Sequence, residues 1–154
     1  MKDIFIDNNI AKNFVNPADE NYKELIKWLL EYNNDKDNDA YLVTSNLLLK
    51  EYLSSSRDCS KSTSIPVIIS TMTAQGRLLK FSNQNIKEFI TENFTKKIHK
   101  SLRSNEQDHT HIATILMSER KYAISIDENF NQDLKDFPGQ EVTVVKRPEE
   151  LDYK

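Results

Sequence analysis

Asp7 closes the short apolar run Ile4, Phe5, Ile6, and Asp127 closes the run Tyr122 to Ile126. Glu51 and Asp108 stand inside segments with helical spacing, Asp108 in a first turn. In an open parallel sheet the functional crevice lies beyond the carboxyl ends of the strands. Two acids there, and two more on helices that start near the same edge, can therefore share one site. Such a group repels itself unless divalent cations offset the charge. The chain holds a single Cys, Cys59, and no well-spaced His pair, so the donors are oxygens. Oxygen-only sets select hard cations, Mg²⁺ or Mn²⁺, over zinc. The expected site is thus acidic, cation-dependent and assembled from residues far apart in sequence.

Four short apolar runs read as strands: Ile4–Ile6, Ala40–Val43, Tyr122–Ile126 and Val142–Val145. Between them lie helical patterns. Tyr22, Leu25, Ile26, Leu29 and Leu30 define one after Pro17, with Asp19 and Glu20 placed to complement its N-terminus. Thr44 or Ser45 caps a second, which carries Leu47 to Leu49, Glu51, Tyr52 and Leu53. Residues 33–39 (NNDKDND) have no apolar member and read as a solvated loop, and 54–64 as a Ser-rich linker. Ser64 to Leu79 is β-branched at first. Ser64 before Pro66, with Met72, Gln75, Leu78 and Leu79 in helical period, favours a helix throughout. Ile86, Phe89, Ile90 and Phe94 mark another, residues 105–119 a further one, and 128–134 one or two turns before Pro138. Strands alternating with helices imply parallel pairing. The expected architecture is an α/β fold, a three-layer α/β/α sandwich with a short central parallel sheet, in a single domain over residues 1–154.

Composition agrees and excludes several classes. The 154 residues are 38% hydrophobic and 29% charged, with two Gly and four Pro, which rules out collagenous and Gly-rich disordered chains. Lys plus Arg of 21 against Asp plus Glu of 24 gives a net charge of −3, unlike a globally basic nucleic-acid binder. A lone Cys59 excludes an internal disulfide and a thiolate zinc cage. Neither a membrane span nor a secretory signal is legible, so the expected location is cytoplasmic.

The segments IFIDNNI, LLLKEYL, DHTHIATILM and AISIDENF resemble, in order and across nearly the whole chain, the four acidic motifs of the PIN-domain nucleases. Asp7 matches the acid ending the first strand, Glu51 the helix glutamate, Asp108 the acid opening the later helix, and Asp127 the acid ending the following strand. Asn9 matches a small polar residue of the first motif, Ser125 stands where the family has Thr or Ser, and Phe130 completes D-x-x-F. Asn129 stands near the metal where many members have another acid, a departure that bears on a second metal ion. The resemblance implies metal-dependent hydrolysis of RNA phosphodiester bonds. Asp7, Asp108 and Asp127 would bind the metal, and Glu51 would be either a ligand or the group that orients the attacking water. The likeness extends to VapC-type toxins, which implies an RNA substrate, an antitoxin protein partner and a homodimer.

Blander readings stand beside these. Any one carboxylate among 24 acids is most often solvated surface. His111, one turn after Asp108, could be a base or a ligand, yet a His near a helix start is more often structural, and the assigned site omits it. His99 among Lys96, Lys97, Lys100 and Arg103 could meet an RNA backbone, but such a run is more often a solvated face. Lys12 and Lys50 are weaker cases. Asn8 and Asn9 could simply end the strand and cap the next turn. Met72 and Met117 read as core and Cys59 as inert. One rival is a PIN-like binding module without catalysis. A haloacid-dehalogenase-type phosphatase would want Asp where Asn9 stands, and a receiver domain would want adjacent acids after the first strand together with a phosphoacceptor Asp ending a middle strand. Neither pattern is present.

Overall fold

The computed structural model describes residues 1–56 and 61–154; Cys59 lies outside the described residues. The first strand, β1 (Lys2–Ile6), has four of its five residues buried, as a strand covered on both faces requires. It pairs in parallel with β2 (Ala40–Ser45), and β2 pairs in parallel with β3 (Leu78–Phe81). On its other side β1 pairs in parallel with β4 (Tyr122–Ile124), which pairs in parallel with β5 (Thr143–Val145). Among the described residues the sheet order is β3-β2-β1-β4-β5. The chain grows outward from β1 to β3, then crosses back to β4. That reversal makes the β1/β4 boundary the topological switch point, where the carboxyl ends open a crevice.

The connections are helical, as parallel strands demand. They comprise α1 (Asn8–Ala11), α2 (Glu20–Leu30), α3 (Asn46–Ser55), α4 (Ile65–Ala74), α5 (Asn83–Asn93), α6 (Lys96–Ser101), α7 (Glu106–Met117) and α8 (Glu128–Lys135). Helices α2 and α4 pack together, while α5 and α8 each pack against α7. Both α2 and α7 rest on β2, and right-handed crossovers place them on opposite faces of the sheet. The result is the three-layer α/β/α sandwich expected from the sequence. Ile4, Phe5, Ile6, Leu42, Val43, Ala123 and Ile124 fill the middle layer at 0% exposure.

Several boundaries differ from expectation. The helix begun at Ser64 stops at Ala74 and does not run to Leu79. Gly76 has φ +68°, its N–H donates to the Thr73 carbonyl, and the Arg77 N–H donates to the Met72 carbonyl. This Schellman closure satisfies the last carbonyls and turns the chain into β3, a fifth strand that sequence periodicity hides. The strand beginning at Tyr122 ends at Ile124, leaving Ile126 half-exposed. Val142 precedes β5. The loop at 33–39 is not wholly solvated. Asp39 is 4% exposed and accepts from the Asn33 and Asp35 amides, which pins the loop from within.

Candidate functional site

Asp7 stands where β1 becomes α1. Its N–H continues the ladder to the Ile124 carbonyl at 3.0 Å, and its Oδ1 caps α1 by accepting from the Asn8 amide at 2.8 Å. Asn8 and Asn9 therefore open a helix. The Asp7 Oδ2 accepts from the Ser125 hydroxyl at 2.6 Å and from Asn9 Nδ2 at 3.3 Å. Asn9 also donates to Ser125 Oγ at 3.2 Å, and its Oδ1 accepts from the Ile126 amide at 3.4 Å. These bonds tie the first and fourth motifs across the switch point. Burial lifts the Asp7 carboxyl above the usual carboxylate range, with the Glu51 charge adding to the rise; the Ser125 bond and His111 oppose it.

Asp127 follows β4 through Ser125, whose Oγ accepts the Asp127 amide at 3.2 Å. It caps α8 by accepting from the Phe130 amide at 3.0 Å and is exposed. The D-x-x-F spacing thus has a local meaning, because the cap bond ends on the buried Phe130. Asn129 is exposed on the first turn of α8. The buried Asn131 donates to the Ser125 carbonyl at 2.7 Å and fixes the turn from below.

Asp108 lies in the first turn of α7, capped by Asn105. Burial raises its pKa, His111 lowers it, and Asp127 and Asp7 raise it further. The three aspartates, from three elements, therefore share one field. Glu51 is joined to them through His111. Both Glu51 oxygens lie 3.0 Å from His111 Nε2, and the ring is only 2% exposed. Below the site the fully buried Tyr52 hydroxyl donates to the Ile6 carbonyl. Burial, then the Asp7 and Glu51 charges, push that phenol well above its ordinary value.

The sequence expectation placed Asp7, Glu51, Asp108 and Asp127 at one edge; the hydrogen bonds tie Asp7 to Ser125 and Asn9 and Glu51 to His111, while Asp108 and Asp127 open or cap their own helices. Among the described residues, no three His, Cys, Asp or Glu side chains are close enough to hold a metal ion as they stand. Carboxylate oxygens are the donor type a hard divalent cation takes, although Asp7, Asp108 and Asp127 are not gathered around one point; burial raises Asp7 and Asp108, with the Glu51 charge adding at Asp7 and the Asp127 and Asp7 charges adding at Asp108. A cavity of about 540 Å³ lined by Lys97, Arg103, Asp136 and Phe137 lies elsewhere, and none of the four acids lines it. Tyr52 is the contribution that local pattern misses; His111, outside the expected site, is the residue the structure adds beside Glu51. The signal for His111 is its i, i+3 spacing from Asp108 on one helix face.

No helix among the described residues is long and apolar enough to cross a membrane. No family model and no curated protein matches the sequence. Among solved structures, a chain in the crystal structure of VapBC2 from Rickettsia felis, bound to a DNA fragment from their promoter, is similar with a TM-score of 0.54 at 13% identity. The match covers 94% of this chain and 98% of that one, so the two share their fold over nearly their whole lengths.

Proposed function

We propose that the protein is a metal-dependent endoribonuclease that hydrolyses RNA phosphodiester bonds at the edge carrying Asp7, Glu51, Asp108 and Asp127. The observation that carries this reading is that Asp7 and Asp127 follow the carboxyl ends of β1 and β4 at the switch point of a parallel sheet, with Ser125 bonded to Asp7 across it at 2.6 Å. Asp7, Asp108 and Asp127 would hold Mg²⁺ or Mn²⁺. When bound, the cation supplies Lewis acidity toward phosphate oxygens and acidifies a water. Ser125 and Asn9 fix the direction of the Asp7 carboxylate through Oδ2. Glu51, held by His111, orients the attacking water, since a carboxylate that accepts one N–H keeps lone pairs free. Asn129 contributes an amide beside the site where an acid would add charge.

The fold shared with a VapBC2 chain supports a further element. The protein would act as the toxin of a toxin–antitoxin pair, working as a homodimer in the cytoplasm and restrained by an antitoxin whose basic side chain offsets the carboxylates. The second reading, a PIN-like RNA- or protein-binding module without catalysis, is favoured by the absence of a ready three-donor cluster among the described residues and by Asn129. Cleavage of a pool of single-stranded and structured RNAs in Mg²⁺, in Mn²⁺ and in EDTA separates the two. The nuclease cuts with either metal and stops in EDTA. A binding module retains RNA, or another partner, uncut in all three.

A further inference from the structure

We infer that the cavity between α6 and the end of α8 is a nucleotide subsite on the path of a single-stranded RNA. It takes one base inside and the adjoining phosphates on Lys97 and Arg103; this rests on the RNA reading above and needs no metal ion. The cavity holds about 540 Å³, within the range of small-molecule sites. Ile98, Leu102, Phe137 and Pro138 give it apolar walls, Ser101 and Asp136 add polar atoms, and Lys97 and Arg103 are exposed on its lining. The site is preformed. Asp133, 4% exposed, accepts from the Arg103 and Ser104 amides, each at 2.9 Å, and ties the chain after α6 to α8. Phe94 backs Phe137 with ring centroids 5.1 Å apart. A base brings an apolar face and a polar edge, and its strand brings an anion at each phosphate, so a nucleotide uses walls, acceptor and cations together. Charge favours the same occupant. Lys96, Lys97, Lys100 and Arg103 lie between Thr95 and Asn105 with no acid in that stretch. None of the four forms an ion pair among the described residues. Of the two carboxylates on the lining, Asp133 is engaged by amides and Asp136 accepts from the Gln132 side chain, with lone pairs left for a base amino group. A strand seated here also passes the acidic edge. Asp127 heads α8, about 9 Å along its axis from Asp133, and Asp108 follows Arg103 by five residues.

The test is fluorescence anisotropy of a short, labelled, mixed-sequence single-stranded RNA, in EDTA so that none is cut. Salt is held near 150 mM, where charges more than about 8 Å away are largely screened, and then varied. Thermal unfolding of each protein confirms the fold. Lys97→Glu combined with Arg103→Glu should weaken binding about tenfold or more and flatten the salt slope by about 1.4, as two lost phosphate contacts on a single strand do. Ser101→Phe, which fills the cavity at unchanged charge, should weaken it about fivefold or more, the low end for one stacked base. Lys27→Glu combined with Lys36→Glu, the same charge change on α2 and on the loop before β2, should stay within about twofold of wild type. Equal losses in the two charge-reversed proteins overturn the inference, and so does wild-type affinity in Ser101→Phe. If Ser101→Phe does not fold, photocrosslinking of 4-thiouridine RNA to the wild type decides: adducts within residues 95–103 or 133–138 support the subsite, and adducts only elsewhere overturn it. Absence of RNA binding by wild type overturns the RNA reading as well and points the basic stretch at an acidic protein partner, whereas binding that no variant weakens overturns this inference only.

Discussion

Asp7 carries a tension between folding and function. Its carboxylate is half-buried, which the folded state resists, and it keeps its place through the Asn8, Asn9 and Ser125 donors. For an acid whose folded pKa is raised, the charged form is penalised on folding. Below the ordinary carboxylate value the group is neutral in both states and carries no penalty. As pH rises toward the raised folded value, stability falls, and above it the full penalty remains. Asp108 acts with the same sign. Asp7→Asn should therefore keep or slightly raise the metal-free melting temperature at neutral pH, the relieved charge offsetting an acceptor lost to the Ser125 and Asn9 donors. The difference should shrink at pH 4, measured by calorimetry in EDTA. Mn²⁺ at a hundredfold excess over its Kd should stabilise wild type by about 2.7 kcal/mol and leave Asp7→Asn unmoved.

The elements are held by long-range polar ties that no local pattern announces. Tyr52 on α3 reaches back to the Ile6 carbonyl at the end of β1. Tyr52→Phe should cost about 1–3 kcal/mol by leaving that carbonyl without its donor, read as a lower denaturation midpoint with an unchanged slope. Arg77, 1% exposed, bonds the Leu29 carbonyl at 2.8 Å and the Ala40 carbonyl at 2.9 Å, joining α2, β2 and the approach to β3. Arg77→Met should destabilise by roughly 2–4 kcal/mol, since two buried carbonyls lose charged donors. These partners lie 46, 48 and 37 residues apart in sequence, which is why they were illegible. The places of the four acids on their elements were legible because each is set locally: two just past strand ends, one at a helix start, one within a helix. β3 was not, because Leu78 and Leu79 continue a helical period that only Gly76 interrupts. Asp39 looked solvated because its amide partners belong to the loop's own fold.

The whole molecule sets Asp7 and Asp127 at the switch point of a five-stranded parallel sheet under a net charge of −3. On the proposed reading, RNA bound to a chain of net charge −3 would depend on local phosphate contacts, so binding should be weak and salt-sensitive. With two or three contacts, affinity falls roughly tenfold between about 50 and 200 mM salt, a slope readable by anisotropy with the Asp7→Asn protein. Binding independent of salt would place the contacts on bases alone. The most direct test of the central claim is the cleavage rate of one RNA, in Mn²⁺, by wild type and by Asp7→Asn of equal or greater thermal stability. The account predicts a fall of about 100-fold or more with the fold intact. Equal rates in the two proteins would contradict it and move the chemistry away from the acidic edge.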